Sequence, residues 1–137
     1  MKKFFIILLL LLTFTNLHSQ AATWVQVSDY VYIDRDSIRL YVDDYGKEDS
    51  CKKIFWIKTI NHDNLYEKLQ GKPSHILCQM IIDKAKKCIA HKSFCAYDKK
   101  GVVVFSKTYK DFELKWDPVI PDTPGEFLFE LVNDPEF

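Results

Sequence analysis

The chain has 137 residues, 19 basic and 19 acidic, with a hydrophobic fraction of 47% and four cysteines. A near-neutral total argues against nucleic acid as the main partner. The length fits one domain with a core of its own.

The N-terminus reads as a secretory signal peptide over residues 1–21. Met1-Lys2-Lys3 is a charged start, Phe4 to Leu12 is an unbroken apolar run, and Ser19-Gln20-Ala21 supplies small residues where a signal peptidase reads. The run is too short for a spanning helix, which needs roughly 20 apolar residues. No other segment is apolar enough to span a membrane. No cysteine stands near the cleavage point, so a lipoprotein anchor is not written there. The expected mature protein is a single domain over residues 22–137. Cleavage takes Lys2 and Lys3 away and leaves 17 basic against 19 acidic residues.

The mature chain opens with Trp24-Val25-Gln26-Val27, a short strand by composition. Tyr30 to Asp34 is a second strand, aromatic and β-branched throughout. Asp34-Arg35-Asp36-Ser37 reads as a turn, because Asp and Ser side chains bond their own backbone. Ile38 to Val42 returns as a strand, and Asp43 to Ser50, with Gly46 inside, reads as an exposed loop. Lys53 to Ile60 is apolar on both parities and is expected in the middle of a sheet, covered on both faces. Asn61 to Gln70 has weak helical character and is expected as a short helix or a loop.

His75 to Ile82 is the next strand. Asp83 to Lys87 is a turn, and Cys88 to Tyr97 is the strand after it. Asp98-Lys99-Lys100-Gly101 is a hairpin signal, with Asp at the start and Gly free to adopt the left-handed conformation at the end. Val102 to about Tyr109 then returns. Pro118, Pro121 and Pro124 make Asp117 to Thr123 an extended connector. Thr123, Pro124 and Glu126 agree on a helix start: a cap, a first-turn proline and a capping box. The helix, to about Val132, is expected to bury Phe127, Leu128, Leu131 and Val132 on a sheet face.

Charge is split along the chain. Lys84 to Lys110 holds eight lysines against one acid, and Asp111 to Phe137 holds eight acids against one lysine. Such halves can neutralise each other within the fold or across a homodimer, or offer a basic patch to an acidic partner. Lys84, Lys86, Lys87, Lys99 and Lys100 are the candidate ligand contacts. Trp24, Trp116 and Tyr41 are candidates for an aromatic patch, with core packing the expected fate of both tryptophans.

An even cysteine count in an exported chain implies disulfides. Sequence alone leaves three pairings open. A meander of strands favours Cys51–Cys88 and Cys78–Cys95. The spacings of 27, 10 and 7 contain no C-x-x-C, and His62, His75 and His91 form no ligand pattern. No metal or other cofactor is expected. Nothing argues for catalysis: there is no G-x-S-x-G and no H-E-x-x-H.

The order of residues resembles the surface-adhesin protein E family of Gram-negative bacteria. The resemblance is carried by Trp24, by Tyr32-Ile33-Asp34-Arg35-Asp36-Ser37-Ile38, and by Ile54-Phe55-Trp56-Ile57. It continues through Ile81-Ile82-Asp83 and Tyr97-Asp98-Lys99-Lys100-Gly101-Val102-Val103. It ends with Trp116 ahead of Ile120-Pro121-Asp122-Thr123 and the last helix. It implies an α+β fold, an antiparallel sheet of about six strands with the C-terminal helix on its concave face. It also implies a non-enzymatic exported protein that binds a protein partner, in the named member a host extracellular-matrix protein. The alternative is a periplasmic accessory protein with no host ligand. Relatives tether the helix through a cysteine after the Ile-Asp pair and another at the helix end. Lys84 and Phe137 stand there in this sequence, so helix docking is expected to rest on apolar burial alone.

Overall fold

The computed structural model describes residues 22–61 and 72–137. The expected signal peptide and the expected helix or loop at Asn61 to Gln70 lie outside the described residues, save Asn61 itself. Among those residues the strands are β1 (Trp24–Ser28), β2 (Val31–Val42), β3 (Glu48–Ile60), β4 (His75–Asp83), β5 (Cys88–Tyr97), β6 (Val103–Thr108) and β7 (Trp116–Pro118). A 3-10 turn spans Asp111–Glu113, and helix α1 spans Pro124–Asn133. The first six strands form one antiparallel meander in chain order, and β7 pairs with the start of β5 beside the end of β6. The β1–β2, β2–β3, β4–β5 and β5–β6 connections are short, which suits this order, since antiparallel neighbours need only a hairpin between them.

Two expected boundaries move. The Asp34-Arg35-Asp36-Ser37 turn is a bulge inside one long strand, not a reversal. Asp34 pairs with Trp56 and Arg39 with Ile54, so five steps along β2 answer two along β3. The Ser37 hydroxyl bridges the break: it donates to the Asp34 carbonyl at 2.7 Å and accepts from the Trp56 amide at 2.8 Å. The local side-chain bonding expected of these residues is present, but the chain does not change direction, because β3 supplies a partner on both sides of the bulge. The loop expected over Asp43 to Ser50 is also shorter, since β3 starts at Glu48. Asp43 holds the reversal. Its Oδ1 accepts from the amides of Tyr45 at 2.9 Å and Lys47 at 2.8 Å, and Gly46 sits at φ +82°.

The sheet buries apolar side chains on both faces, unequally. On one face Ile33, Phe55, Ile57, Cys78, Met80, Ile82 and Ile89 meet Leu128 and Val132 of α1. On the other, a smaller group of Tyr41, Ile54 and Ile81 is covered by Leu114. β3 is therefore central and apolar on both parities, as its sequence requires. The helix is capped by Thr123, whose Oγ1 accepts from the Glu126 amide at 3.4 Å. Glu126 reaches back to the Asp122 amide at 2.8 Å, one residue before the cap. Phe127 turns outward at 49% exposure, while Phe129 packs towards the core in its place.

Docking of α1 does not rest on apolar burial alone. Lys53 Nζ donates to the Val132 carbonyl at 2.8 Å, placing a cation on the free carbonyls at the helix C-terminus. Arg35 donates to the Glu136 carbonyl at 3.2 Å and lies 5.6 Å from the centre of the Phe137 ring. Two cations from β2 and β3 thus hold the C-terminal end of the helix.

Candidate functional site

The strand register decides which candidates can act together. The β2–β3 hairpin, the β4–β5 turn and the end of β6 lie at one end of the sheet. The β5–β6 hairpin lies at the other. Lys84, Lys86 and Lys87 are exposed in the β4–β5 turn, and Lys99 and Lys100 are exposed in the β5–β6 hairpin. The length of β5 separates the two groups by about 30 Å, so the five lysines do not form one patch.

The thiols do not pair as expected either. All four cysteines are free, Cys51 exposed, Cys78 and Cys88 buried, and Cys95 half-buried. Lys52, Asp83 and Cys88 lie in register across β3, β4 and β5, so Cys51 and Cys88 have a whole strand between them. That spacing is about 10 Å, beyond the roughly 7 Å a disulfide spans. Cys78 pairs with Phe94 and Cys95 with Leu77, which puts the two thiols on opposite faces of the sheet. The cause is a bulge. Gln79 pairs with Ser93 and Met80 with His91, leaving Lys92 as an extra residue. Strict alternation would have set Cys95 on the same face as Ile89 and Cys78. The extra residue reverses it. Burial pushes the Cys78 thiol up to about 12, so it is no nucleophile at neutral pH.

Lys92 is the centre of a polar cluster that the sequence did not single out. Its side chain is 11% exposed and reaches Asp111 Oδ1 at 2.6 Å and Asp44 Oδ1 at 3.0 Å. Tyr41 donates its hydroxyl to the same Asp111 oxygen. The two aspartates also bond each other's backbone: Asp44 N donates to Asp111 Oδ2 at 2.7 Å, and Asp111 N to Asp44 Oδ2 at 2.8 Å. Burial pulls the Lys92 ammonium down, yet the bonds to Asp111, Asp44 and Tyr41 outweigh it and its pKa is raised. Burial pushes the Asp111 carboxyl up, but Lys92, Tyr41 and the Asp44 amide bring it below the usual carboxylate range. The Asp111 amide and Lys92 lower Asp44 as well. Burial, with Asp111 beside it, raises Tyr41 to about 12.

This clasp fixes the β2–β3 hairpin against the 3-10 turn, and each carries an aromatic ring in the residue next to the clasped aspartate. Tyr45 is 93% exposed and Phe112 is 88% exposed. Tyr41, expected as a surface candidate, is buried in the clasp. Trp24 is half-buried with Lys58 Nζ 4.6 Å from its ring centre. Trp116, expected in the core, is 36% exposed with Lys52 5.7 Å away.

A second surface lies on the helix face. A ten-residue helix is about 15 Å long and covers the middle of a sheet six strands wide, reaching Ile89 at the start of β5 and leaving the rest of β5 and β6 open on that face. The uncovered part is a cleft of ≈ 410 Å³ lined by His91, Phe94, Lys107, Tyr109, Glu113, Lys115 and Asp117. Beside it lies an apolar chamber of ≈ 310 Å³ between Met80, Ile89 and the segment from Pro118 to Ile120. His91 and Asp117 line both. His91 stacks on Phe94 with centroids 5.3 Å apart, and Tyr109 meets Phe94 edge-on at 6.2 Å.

No family model and no curated protein matches the sequence. Solved structures do match the fold. Crystal form II of Haemophilus influenzae protein E aligns at 18% identity and a TM-score of 0.53, over 86% of this chain and 90% of that one. Protein E from non-typeable Haemophilus influenzae aligns at 17% identity and a TM-score of 0.52, over 85% and 77%. At such identity the likeness speaks for architecture, and it agrees with the resemblance read in the sequence: this chain is built on the protein E fold.

Proposed function

We propose that this is an exported, non-enzymatic binding protein, an adhesin-like module that contacts a host extracellular-matrix or envelope protein. Residues 1–21 direct export and are removed in the course of it, leaving residues 22–137 as the working domain. The observation that carries the reading is the pair of rings, Tyr45 and Phe112, on two loops locked by the Lys92 clasp. Exposed aromatic side chains held in a fixed geometry lose little freedom on contact, and aromatic residues dominate the energetics of protein interfaces. Lys84, Lys86 and Lys87 lie at the same end and extend the surface. Lys99 and Lys100 lie at the far end and belong to a separate contact. The fold likeness to protein E and the sequence resemblance to a family of adhesins support the same reading.

The test is binding of the mature protein to immobilised matrix proteins and envelope extracts. The double variant Tyr45→Ser/Phe112→Ser is expected to keep the fold by circular dichroism and to weaken binding at least tenfold, in line with two interface anchors. Unchanged affinity in that variant sinks the reading. Shaving intact cells with protease separates the surface from the periplasm. A protein that stays protected is an accessory periplasmic protein without a host ligand.

A further inference from the structure

The groove on the helix face carries charges that the fold does not use. Lys107, Lys115 and Asp117 make no ion pair within 4 Å among the described residues, and Glu113 only caps the 3-10 turn through the Lys110 amide at 2.7 Å. Lys107 rests over the Tyr109 ring at 4.4 Å. Two ammonium groups, two carboxylates and three aromatic rings thus line one cleft, next to a chamber of apolar side chains. The two compartments ask for different halves of one molecule.

We propose that this groove is a binding site for a small amphiphile with a zwitterionic head and a short apolar tail. Lys107 and Lys115 meet the anionic group of the head. Glu113, Asp117 and the rings of His91 and Phe94 meet the cationic group, which aromatic faces favour when it is a quaternary ammonium, while Tyr109 backs Lys107. The tail enters between Met80, Ile89, Val119 and Ile120. An extended peptide fits less well. Strand addition draws its affinity from free main-chain groups, and β5 is already paired by β6 and β7 on this side. The Lys92 carbonyl in the gap between them accepts from the Tyr109 amide at 2.8 Å. Over β5, recognition therefore comes from side chains and from filling the chamber, and only the outer edge of β6 keeps free main-chain groups. The site is distinct from the Tyr45 and Phe112 surface, so it stands or falls independently of the proposed protein contact.

The experiment is calorimetric titration of the mature protein with four probes below their micelle concentrations: octylphosphocholine, phosphocholine, octyl glucoside and octyl sulfate. Octylphosphocholine is expected to bind at least tenfold tighter than each of the others. Lengthening its chain is expected to gain about fourfold per methylene until the chamber is full. Lys115→Ser/Asp117→Ser is expected to erase the preference for the zwitterion while leaving the melting temperature in place. Ile120→Asp, at a residue 58% exposed, is expected to remove the gain from the tail only. Equal binding of all three octyl probes, no binding of octylphosphocholine, or a preference that survives Lys115→Ser/Asp117→Ser overturns the proposal. Tight binding of an extended peptide at the groove in place of the zwitterion overturns it as well.

Discussion

The β2–β3 and β5–β6 hairpins turn in the same way with different surroundings. In each, an aspartate amide donates to the carbonyl four residues on, at 2.9 Å for Asp43 to Lys47 and 2.9 Å for Asp98 to Val102. In each, the glycine amide returns to the aspartate carbonyl, and Oδ1 accepts from the amides two and four residues on. Gly46 and Gly101 both sit in the left-handed region, at φ +82° and +78°. The residue after the aspartate is where they part. In the first hairpin it is Asp44, bonded to Lys92 and Asp111. In the second it is Lys99, exposed. One local code therefore builds both turns, and a single long-range cluster makes one of them a rigid mount.

The sharpest way to break the comparison is Lys92→Met. It leaves two carboxylates facing each other without a cation. A loss of about 2 kcal/mol is expected in urea unfolding, and Tyr45 and Phe112 are expected to gain mobility in relaxation measurements. The β5–β6 hairpin is expected to stay as it was. If its mobility changes equally, the clasp is not what distinguishes the two turns.

The glycines test the shared code. Gly46→Ala and Gly101→Ala each place a side chain at positive φ with open space around it, so both are expected to cost roughly 1 kcal/mol. A clear difference between them, read from denaturation midpoints, would show that the turns are not locally equivalent.

The pH response is smaller and belongs to the clasp alone. Asp111 and Asp44 have lowered values in the fold, so their contribution is present above the unfolded value of about 3.9 and is lost as pH falls through the lower folded values. Lys92 and Tyr41 are raised, so theirs is present below about 10 and fades as pH climbs through the higher folded values, about 12 for Tyr41. Lys92→Met is expected to flatten both limbs of the stability profile. The smallest effect is that of Lys99→Ala, expected within about 0.5 kcal/mol of the parent.

The parts of the fold that follow from local chemistry were legible in the sequence. Asp98-Lys99-Lys100-Gly101 announced its turn, Thr123-Pro124-Gly125-Glu126 its helix start, and the apolar run in β3 its central place. Asp43-Asp44-Tyr45-Gly46-Lys47 carries the same signal, yet the sequence there reads only as a loop, because the strand that follows opens on the polar residues Glu48, Asp49 and Ser50. What stayed hidden depends on contacts distant in sequence. Lys92 looked like one lysine of eight until β5, the β2–β3 hairpin and the 3-10 turn met around it. The groove was hidden for a different reason: it is defined by what a short helix leaves uncovered. Its residues come from β5, β6, β7 and the segments between, with no shared spacing.

The extra residue in β5 works like a frameshift written in space. Everything from Ser93 to Tyr97 takes its face from that one insertion. Deleting Lys92 would turn Cys95 towards Cys78 and lift Phe94 out of the groove floor. The same deletion would remove the cation that mounts Tyr45 and Phe112. Thiol separation, groove and aromatic display are thus three readouts of one position, and the chain cannot change one of them there without rewriting the other two.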